Sequence, residues 1–302
     1  MVFAGFMSQN NLIVAPSPPI DNYTFNNPSY TPGDYLDLTT FGLSRDDPTG
    51  LSVRDSGAGV YIVDDPGAAR RISLLNMPTP YDITSVTTQL ASGTNLQGGN
   101  PRGMRVDPNG LDFFYIHNAA GNNDILYYQA FNVANDPSGG NTGVLDSVNI
   151  GNIYGGHGSA FTYTGNDFYQ VNNGTQINRY DNPGYSAVPK SFVGFTGVSN
   201  TTGVFPAGAD IGGMDMKDDG SKFYFIDSGN EAIYECDAAT NFDTSTLSIV
   251  NTISLAPITG ILGADHPGGT PNWSGLGIVR DTGTDIYFSD FASQRIYRIN
   301  LA

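Results

Sequence analysis

The chain has 302 residues, enough to bury a sizeable core without disulfide or metal staples. Only 14% of them are charged, the formal net charge is −16, and 27 of the 29 acidic residues are Asp, with Lys present three times. This balance excludes a largely helical protein, because the usual surface helix formers Glu and Lys are scarce while Asp, Asn, Gly and Pro favour turns; it also disfavours a nucleic-acid partner, since phosphate would be repelled.

In chain order, residues 1–34 come first. They are Pro-rich, apolar at the tip (MVFAGF), and lack the basic region of a secretory leader. They read as an extended arm. Residues 35–43 (YLDLTTFGL) read as an isolated strand. From there the chain repeats. Five apolar runs are centred on Tyr61, Phe114, Tyr169, Tyr224 and Tyr287, and four residues before each stands a glycine: Gly57, Gly110, Gly165, Gly220 and Gly283. Eleven residues before the first four aromatics, and twelve before Tyr287, stands another: Gly50, Gly103, Gly158, Gly213 and Gly275. The physical grammar is a short strand, a polar turn closed by glycine, and an aromatic strand running back. Third strands are expected at 72–75, 125–128, 177–180, 233–236 and 296–299, and fourth strands at 83–89, 144–150, 191–195 and 247–253.

Four antiparallel strands recurring about every 55 residues match the blade of a β-propeller. The expected fold is all-β: a five-bladed propeller of four-stranded antiparallel blades over residues 35–302, with the 1–34 arm outside the ring. The last unit ends after its third strand. The N-terminal strand 35–43 is therefore expected to close the ring beside 296–299, removing an open edge. No apolar run approaches the ~20 residues that span a bilayer, and the lone Cys236 rules out intrachain disulfides and multi-thiolate metal sites.

The runs DPTGLSVRDSGAGVYIVDD, GNPRGMRVDPNGLDFFYI and GGMDMKDDGSKFYFIDSGNEAIYECDAATNFDTSTL resemble the propeller repeats of tailed-phage structural proteins. In those repeats a Trp-Asp pair follows the third strand; here the position holds Tyr81-Asp82 or Phe242-Asp243. The last unit, TDIYFSDFASQRIYRINL, is also similar to NHL or lactonase-type repeats. The third, FTYTGNDFYQVNNGTQINRYD, has lost the Asp-Gly turn. The resemblance implies a virion structural protein of a bacteriophage (tail, fibre or capsid-associated) acting in assembly or host attachment. Its partners would be other virion proteins, engaged by the arm, and a host-surface glycan or protein, and it would be oligomeric in the particle. The alternative is a secreted carbohydrate-binding or carbohydrate-active propeller using the same fold, or a lactonase-like one as the last unit's likeness implies, extracellular or periplasmic.

Candidate site residues follow from the repeat. The residue three after each central aromatic enters one face of the ring: Asp64, His117, Asn172, Asp227 and Asp290. Five polar groups there could ring a cation or sugar, and calcium is the one metal they would suit; each also suits an Asx-type cap of a strand end. Trp273, the only tryptophan, sits at the end of the long connection 256–274 and could stack on a sugar or fill a blade edge. Alternation on the inner strands points Ser52, Arg105, Ala160, Asp215 and Ile278 at the axis. Arg105 and Asp215 can pair there, and no catalytic carboxylate set is visible. Neither a G-x-S-x-G elbow nor a phosphate loop occurs, so no enzyme activity is expected.

Overall fold

Five apolar six-residue strands carry the architecture, and each is buried because its two faces serve two different interfaces. The computed structural model describes residues 24–25, 27–41, 43, 50–54, 57–64, 70–91, 96–97, 101–107, 109–117, 124–151, 159–161, 167–172, 175–183, 190–194, 196–257, 259–266, 272–278, 283–290 and 292–301. After β1 (Tyr35–Asp37), blade one runs β2 (Gly50–Val53), β3 (Gly59–Asp64), β4 (Arg71–Asn76) and β5 (Thr88–Ala91). Blade two holds β6 (Pro101–Val106), β7 (Asp112–His117), β8 (Asp124–Val133), β9 (Asp136–Asn141) and β10 (Asp146–Gly151). Blade three follows with β11 (Ser159–Phe161), β12 (Asp167–Asn172), β13 (Gln176–Asp181) and β14 (Thr196–Thr201). Blade four is β15 (Ile211–Met216), β16 (Lys222–Asp227), β17 (Ala232–Ala238) and β18 (Leu247–Ser254); blade five is β19 (Trp273–Ile278), β20 (Asp285–Asp290) and β21 (Arg295–Asn300).

All pairings within the blades are antiparallel, and β1 completes blade five in the order β1-β21-β20-β19. Tyr35 lies opposite Tyr297 and Leu36 opposite Ile296, so the expected closure is present. The inner strands meet in a cycle: β2 touches β6 and β19, β11 touches β6 and β15, and β15 touches β19. That crowding needs glycine. A Cβ on Gly213 would lie 2.8 Å from the Leu276 nitrogen of the next blade, so any side chain there would push two backbones apart.

Alternation along the second strands distributes the core. In β16, Phe223 and Phe225 pack toward blade three, while Tyr224 and Ile226 pack toward blade five. In β20, Tyr287 packs toward blade one and Ile286 and Phe288 toward blade four. The described apolar core is thus a set of five interblade layers. Three central tyrosines also reach across these layers. Tyr287 donates its hydroxyl to the Tyr81 carbonyl (2.9 Å), Tyr169 to the Phe242 carbonyl (2.7 Å) and Tyr61 to Asn135 Oδ1 (2.9 Å). Tyr81 and Phe242 occupy the Trp-Asp position of the repeat. Both are left-handed, with φ of 66° and 65°, a costly conformation for a bulky residue. The Phe242 ring lies where a Cβ on the turn residue Gly220 would sit, 2.2 Å away; the turn glycine leaves room for the ring.

The outer strands depart from expectation. Residues 83–85 form a 3-10 turn capped by Asp82, and the strand begins at Thr88. The described residues 191–194 are not strand; the fourth strand of blade three is Thr196–Thr201, which is polar and mostly exposed. Blade two gains a further strand, β9, which pairs with an extension of β8. Among the described residues of the closing segment, 35–37 are strand, and a 3-10 turn follows at Leu38–Phe41.

Residues 1–23 of the arm lie outside the described residues. Its last part runs along blade five. Ser29 and Asn300 exchange backbone hydrogen bonds of 2.8 and 3.0 Å, Gly33 N donates to Asp265 Oδ2 (2.7 Å), and Phe25 is buried with its ring 5.7 Å from that of Tyr224. Among the described residues no helix is long and apolar enough to cross a membrane.

Two measurements check this account. Tyr287→Phe deletes one interblade hydrogen bond and should lower the unfolding free energy by about 1 kcal/mol in urea, whereas Phe25→Ala should lower it by about 3 kcal/mol. Burial pushes the Tyr61 phenol up from 10.0 to about 12. The unfolded chain releases that proton first, so this contribution to stability is complete below pH 10.0 and declines as pH rises toward about 12. Unfolding midpoints measured across that window should fall, and should fall less in Tyr61→Phe.

Candidate functional site

The axis is built from the inner-strand residues that pair with the central aromatics. Register makes these Ser52 opposite Tyr61, Arg105 opposite Phe114, Ala160 opposite Tyr169, Asp215 opposite Tyr224 and Gly277 opposite Tyr287. The fifth position is therefore Gly277, not Ile278 as alternation suggested. The connection from β19 to β20 is one residue longer than in the other blades, so ten positions separate Gly277 from Tyr287 against nine from Ser52 to Tyr61, and Ile278 is buried in an interblade layer.

An inner strand is the edge of its sheet, so its outward N–H groups need acceptors from elsewhere. Ser52 Oγ accepts from Val106 N of the next blade (3.2 Å), and Asp215 Oδ2 accepts from Ile278 N of the next blade (2.9 Å). Asp215 Oδ1 also takes its neighbour Met216 N (2.8 Å). Across the axis, Arg105 Nη1 lies 3.3 Å from Asp215 Oδ2, with the two side chains 4% and 2% exposed. The expected Arg–Asp contact is present. Its carboxylate serves two backbone donors and a guanidinium, which makes it an inter-blade clamp.

On the loop face, Asp227 and Asp290 end β16 and β20. Asp227 Oδ1 accepts from the N–H groups of Asp210 (2.7 Å), Gly229 (2.8 Å) and Asn230 (3.2 Å), and Oδ2 from Tyr234 OH (2.9 Å) and Asn230 Nδ2 (2.8 Å). Asp290 accepts from Asn272 N (3.0 Å), Ala292 N (3.1 Å) and Ser293 N (3.0 Å). Both carboxylates are turned into their own loops as caps. Burial, reinforced by the bond to Asp227, pushes the Tyr234 phenol above its usual value, so it stays a donor. His117 ends β7, is buried, and has its ring 6.1 Å from that of Tyr127. Burial first, and Arg70 second, lower its pKa from 6.5, leaving the ring neutral at pH 7. Asp64 and Asn172 end β3 and β12; their side chains lie outside the described residues.

Trp273 is not in the connecting loop. It is the first residue of β19, fully buried, packed edge-on to His266, Phe288 and Tyr297. It offers no face to a sugar. Among the described residues, no group of three or more His, Cys, Asp or Glu could hold a metal ion.

The site residues that spacing did not single out lie in blade four. In blades three and five an Asp on the second strand meets an Arg on the third, Asp167 with Arg179 (3.0 Å) and Asp285 with Arg298 (2.8 Å). Blade four reverses the order: Lys222 on the second strand meets Glu235 on the third at 2.7 Å. The reversal places a buried carboxylate where its Oε2 accepts from Phe25 N (2.9 Å) and Asn251 Nδ2 (2.8 Å). A compositional signal existed, because both glutamates of the chain, Glu231 and Glu235, fall in this blade. Cys236 beside it is buried, and its thiol is pushed up to about 12 by burial and then by Glu235 and Asp237. It is not a nucleophile at neutral pH.

Arg105→Ala should cost about 3 kcal/mol in urea unfolding, because it strands Asp215 without its cation. The double variant Arg105→Met with Asp215→Leu should recover most of that loss. Cys236 should resist a thiol-modifying disulfide reagent at pH 8 in the native protein and react in denaturant.

No family model matches the chain, and no curated protein matches it. Among solved structures, the chain is similar to the periplasmic gluconolactonase of Pseudomonas aeruginosa, with 14% identity and a TM-score of 0.45 over 80% of this chain and 65% of that one. It is also similar to hydrazine synthase of Kuenenia stuttgartiensis (12%, 0.45, over 83% and 82%) and to the Swd1 β-propeller domain of Myceliophteria thermophila (11%, 0.39, over 82% and 63%). The chain spans less than two thirds of the gluconolactonase and of the Swd1 domain. At these identities and TM-scores the likenesses carry nothing about what the chain does, and the β-propeller rests on the five sheets described above.

Proposed function

We propose that this propeller acts through its outer surfaces as a structural, non-catalytic component of a phage particle, in assembly or host-surface attachment. The observation that carries the non-catalytic part is the use of the axial and loop-face groups. Asp215, Asp227 and Asp290 are each saturated by backbone N–H donors, with Arg105 added at Asp215. A hydrolytic propeller would need one carboxyl held protonated beside an ionised partner; these carboxylates are instead acceptors in the scaffold. The particle assignment rests on the repeat runs around Tyr61, Phe114 and Tyr224. The 1–34 arm would engage neighbouring particle proteins, because the apolar side chains of its tip, MVFAGF, gain buried area only against a partner.

Antibody raised against the purified chain should label purified particles of the phage that encodes it, and peptides of the chain should be recovered from those particles by mass spectrometry. Particles devoid of the chain would overturn the assignment. Lactone turnover by the purified protein that is lost in Asp215→Asn would overturn the non-catalytic part.

A further inference from the structure

We propose that a groove at the outer edge of blade three is a binding site for a neutral pyranose of a surface glycan. The groove has a volume of about 380 Å³ and is lined by Asn178, Arg179, Tyr180, Val198, Ser199 and Asn200 together with Gly197. Comparison with blade four shows how it arises. The outer strands of both blades bulge at the same place: β14 slips between the partners of Arg179 and Tyr180, and β18 between the partners of Glu235 and Cys236. In blade four the residue after the slip, Ile249, lies opposite Cys236 and packs into the apolar layer. In blade three the corresponding pair is Gly197 opposite Tyr180. The aliphatic side chain that fills the space in one blade is missing in the other, and an aromatic ring borders the gap. Bulges characteristically re-aim side chains at sheet edges, and here the bulged Val198 is half-exposed at the rim.

The lining has the chemistry of a sugar site. Asn178 and Asn200 are directly opposed across β13 and β14, so two carboxamides, each both donor and acceptor, stand side by side on the face that carries Tyr180. Vicinal hydroxyls of a pyranose present the complementary set, and an aromatic wall suits the apolar face of the ring. The volume falls within the ordinary range of small-ligand sites. A neutral sugar fits better than an acidic one: Arg179 is held by both carboxylate oxygens of Asp167, at 3.0 and 3.3 Å, and the whole chain carries −16. This inference deepens the surface-attachment reading by naming what the surface would hold.

The test is saturation-transfer NMR on the full chain with three separate probes: methyl α-D-glucopyranoside, methyl α-D-galactopyranoside and N-acetyl-D-glucosamine. At least one should receive saturation on its ring protons. Gly197→Ile restores the blade-four arrangement, and a Cβ there would meet nothing closer than Tyr180 Cδ1 at 4.0 Å, so the fold should tolerate it. This variant should weaken the transfer at least tenfold with an unchanged melting temperature. Should it fail to fold, the exposed Asn200→Ala takes its place with the same expectation. No transfer to any probe, or equal transfer in the folded variant, would overturn the proposal. Particles that carry the chain while it binds no sugar would sink this inference alone; sugar binding by a chain absent from particles would sink the virion assignment alone.

Discussion

Every blade depends on one constraint: its second strand must be apolar on both faces, because each face is the core of a different interface. An ordinary half-buried strand alternates apolar and polar residues. Here β7, β16 and β20 are buried at all six positions, and each is flanked by two neighbouring blades. No blade can bury its own faces alone, so the ring is stable only when all five interfaces exist. The same constraint explains the repeated tyrosine. At the centre of such a strand, a ring fills the layer while its hydroxyl emerges at the next blade's turn, where the carbonyls of Tyr81 and Phe242 accept it. Packing and register are thus set by one side chain.

Closing a ring from a linear chain raises a specificity problem, because a free terminal strand resembles every other outer strand. The structure addresses it with charge and shape in β1 and in the residues before it. Arg295 lies over the Tyr35 ring at 4.2 Å, Arg298 reaches Asp34 at 3.5 Å, and Asp265 takes both the Tyr30 hydroxyl (3.0 Å) and Gly33 N. Beyond these, the reversed Lys222–Glu235 pair offers Phe25 N a buried acceptor in blade four. In the arrangement of blades three and five, a base would stand at that place and could not accept an N–H. Removing Glu235 would leave Lys222 beside Asp237 alone, 2.7 Å away and half-exposed, and would leave Phe25 N without its acceptor.

How much of this is legible in the sequence varies with radius. The inner and second strands read clearly because glycine at close backbone approaches and continuous apolar runs have no substitutes; the pairing of the 35–37 strand with 295–297 was inferable from a missing fourth strand. The outer strands read poorly. Thr196–Thr201 is held by backbone bonds on a solvated rim, so nothing demands alternation there, whereas Phe192 in the expected segment is buried as a plug against Phe114. The candidate site was half legible. Arg105 and Asp215 face each other as alternation implied, but the longer turn of the last blade put Gly277 where counting back from Tyr287 gives Ile278, and Trp273 reads as a loop residue because β19 starts two residues before Gly275, the glycine that marks its inner strand. The fate of Asp227 and Asp290 as caps depends on which N–H groups lie within about 3 Å, and spacing alone does not contain that.

These limits bear on where function can reside in such a ring. Near the axis, strand edges crowd together and two of the polar side chains are drawn into satisfying a neighbour's backbone: Ser52 serves Val106, Asp215 serves Ile278. A group used in that way cannot be altered without loosening two blades at once. At the rim the opposite holds. Blades three and four share a bulge yet differ at Gly197 and Ile249, and blade two adds a hairpin, with no change in the inner strands that meet around the axis. Variation there is uncoupled from closure, because an outer strand contacts one blade's edge instead of two blades' cores. In a propeller whose described axial groups are committed to its own assembly, change is least constrained where the repeats are least alike, and that is also where repeat periodicity says least.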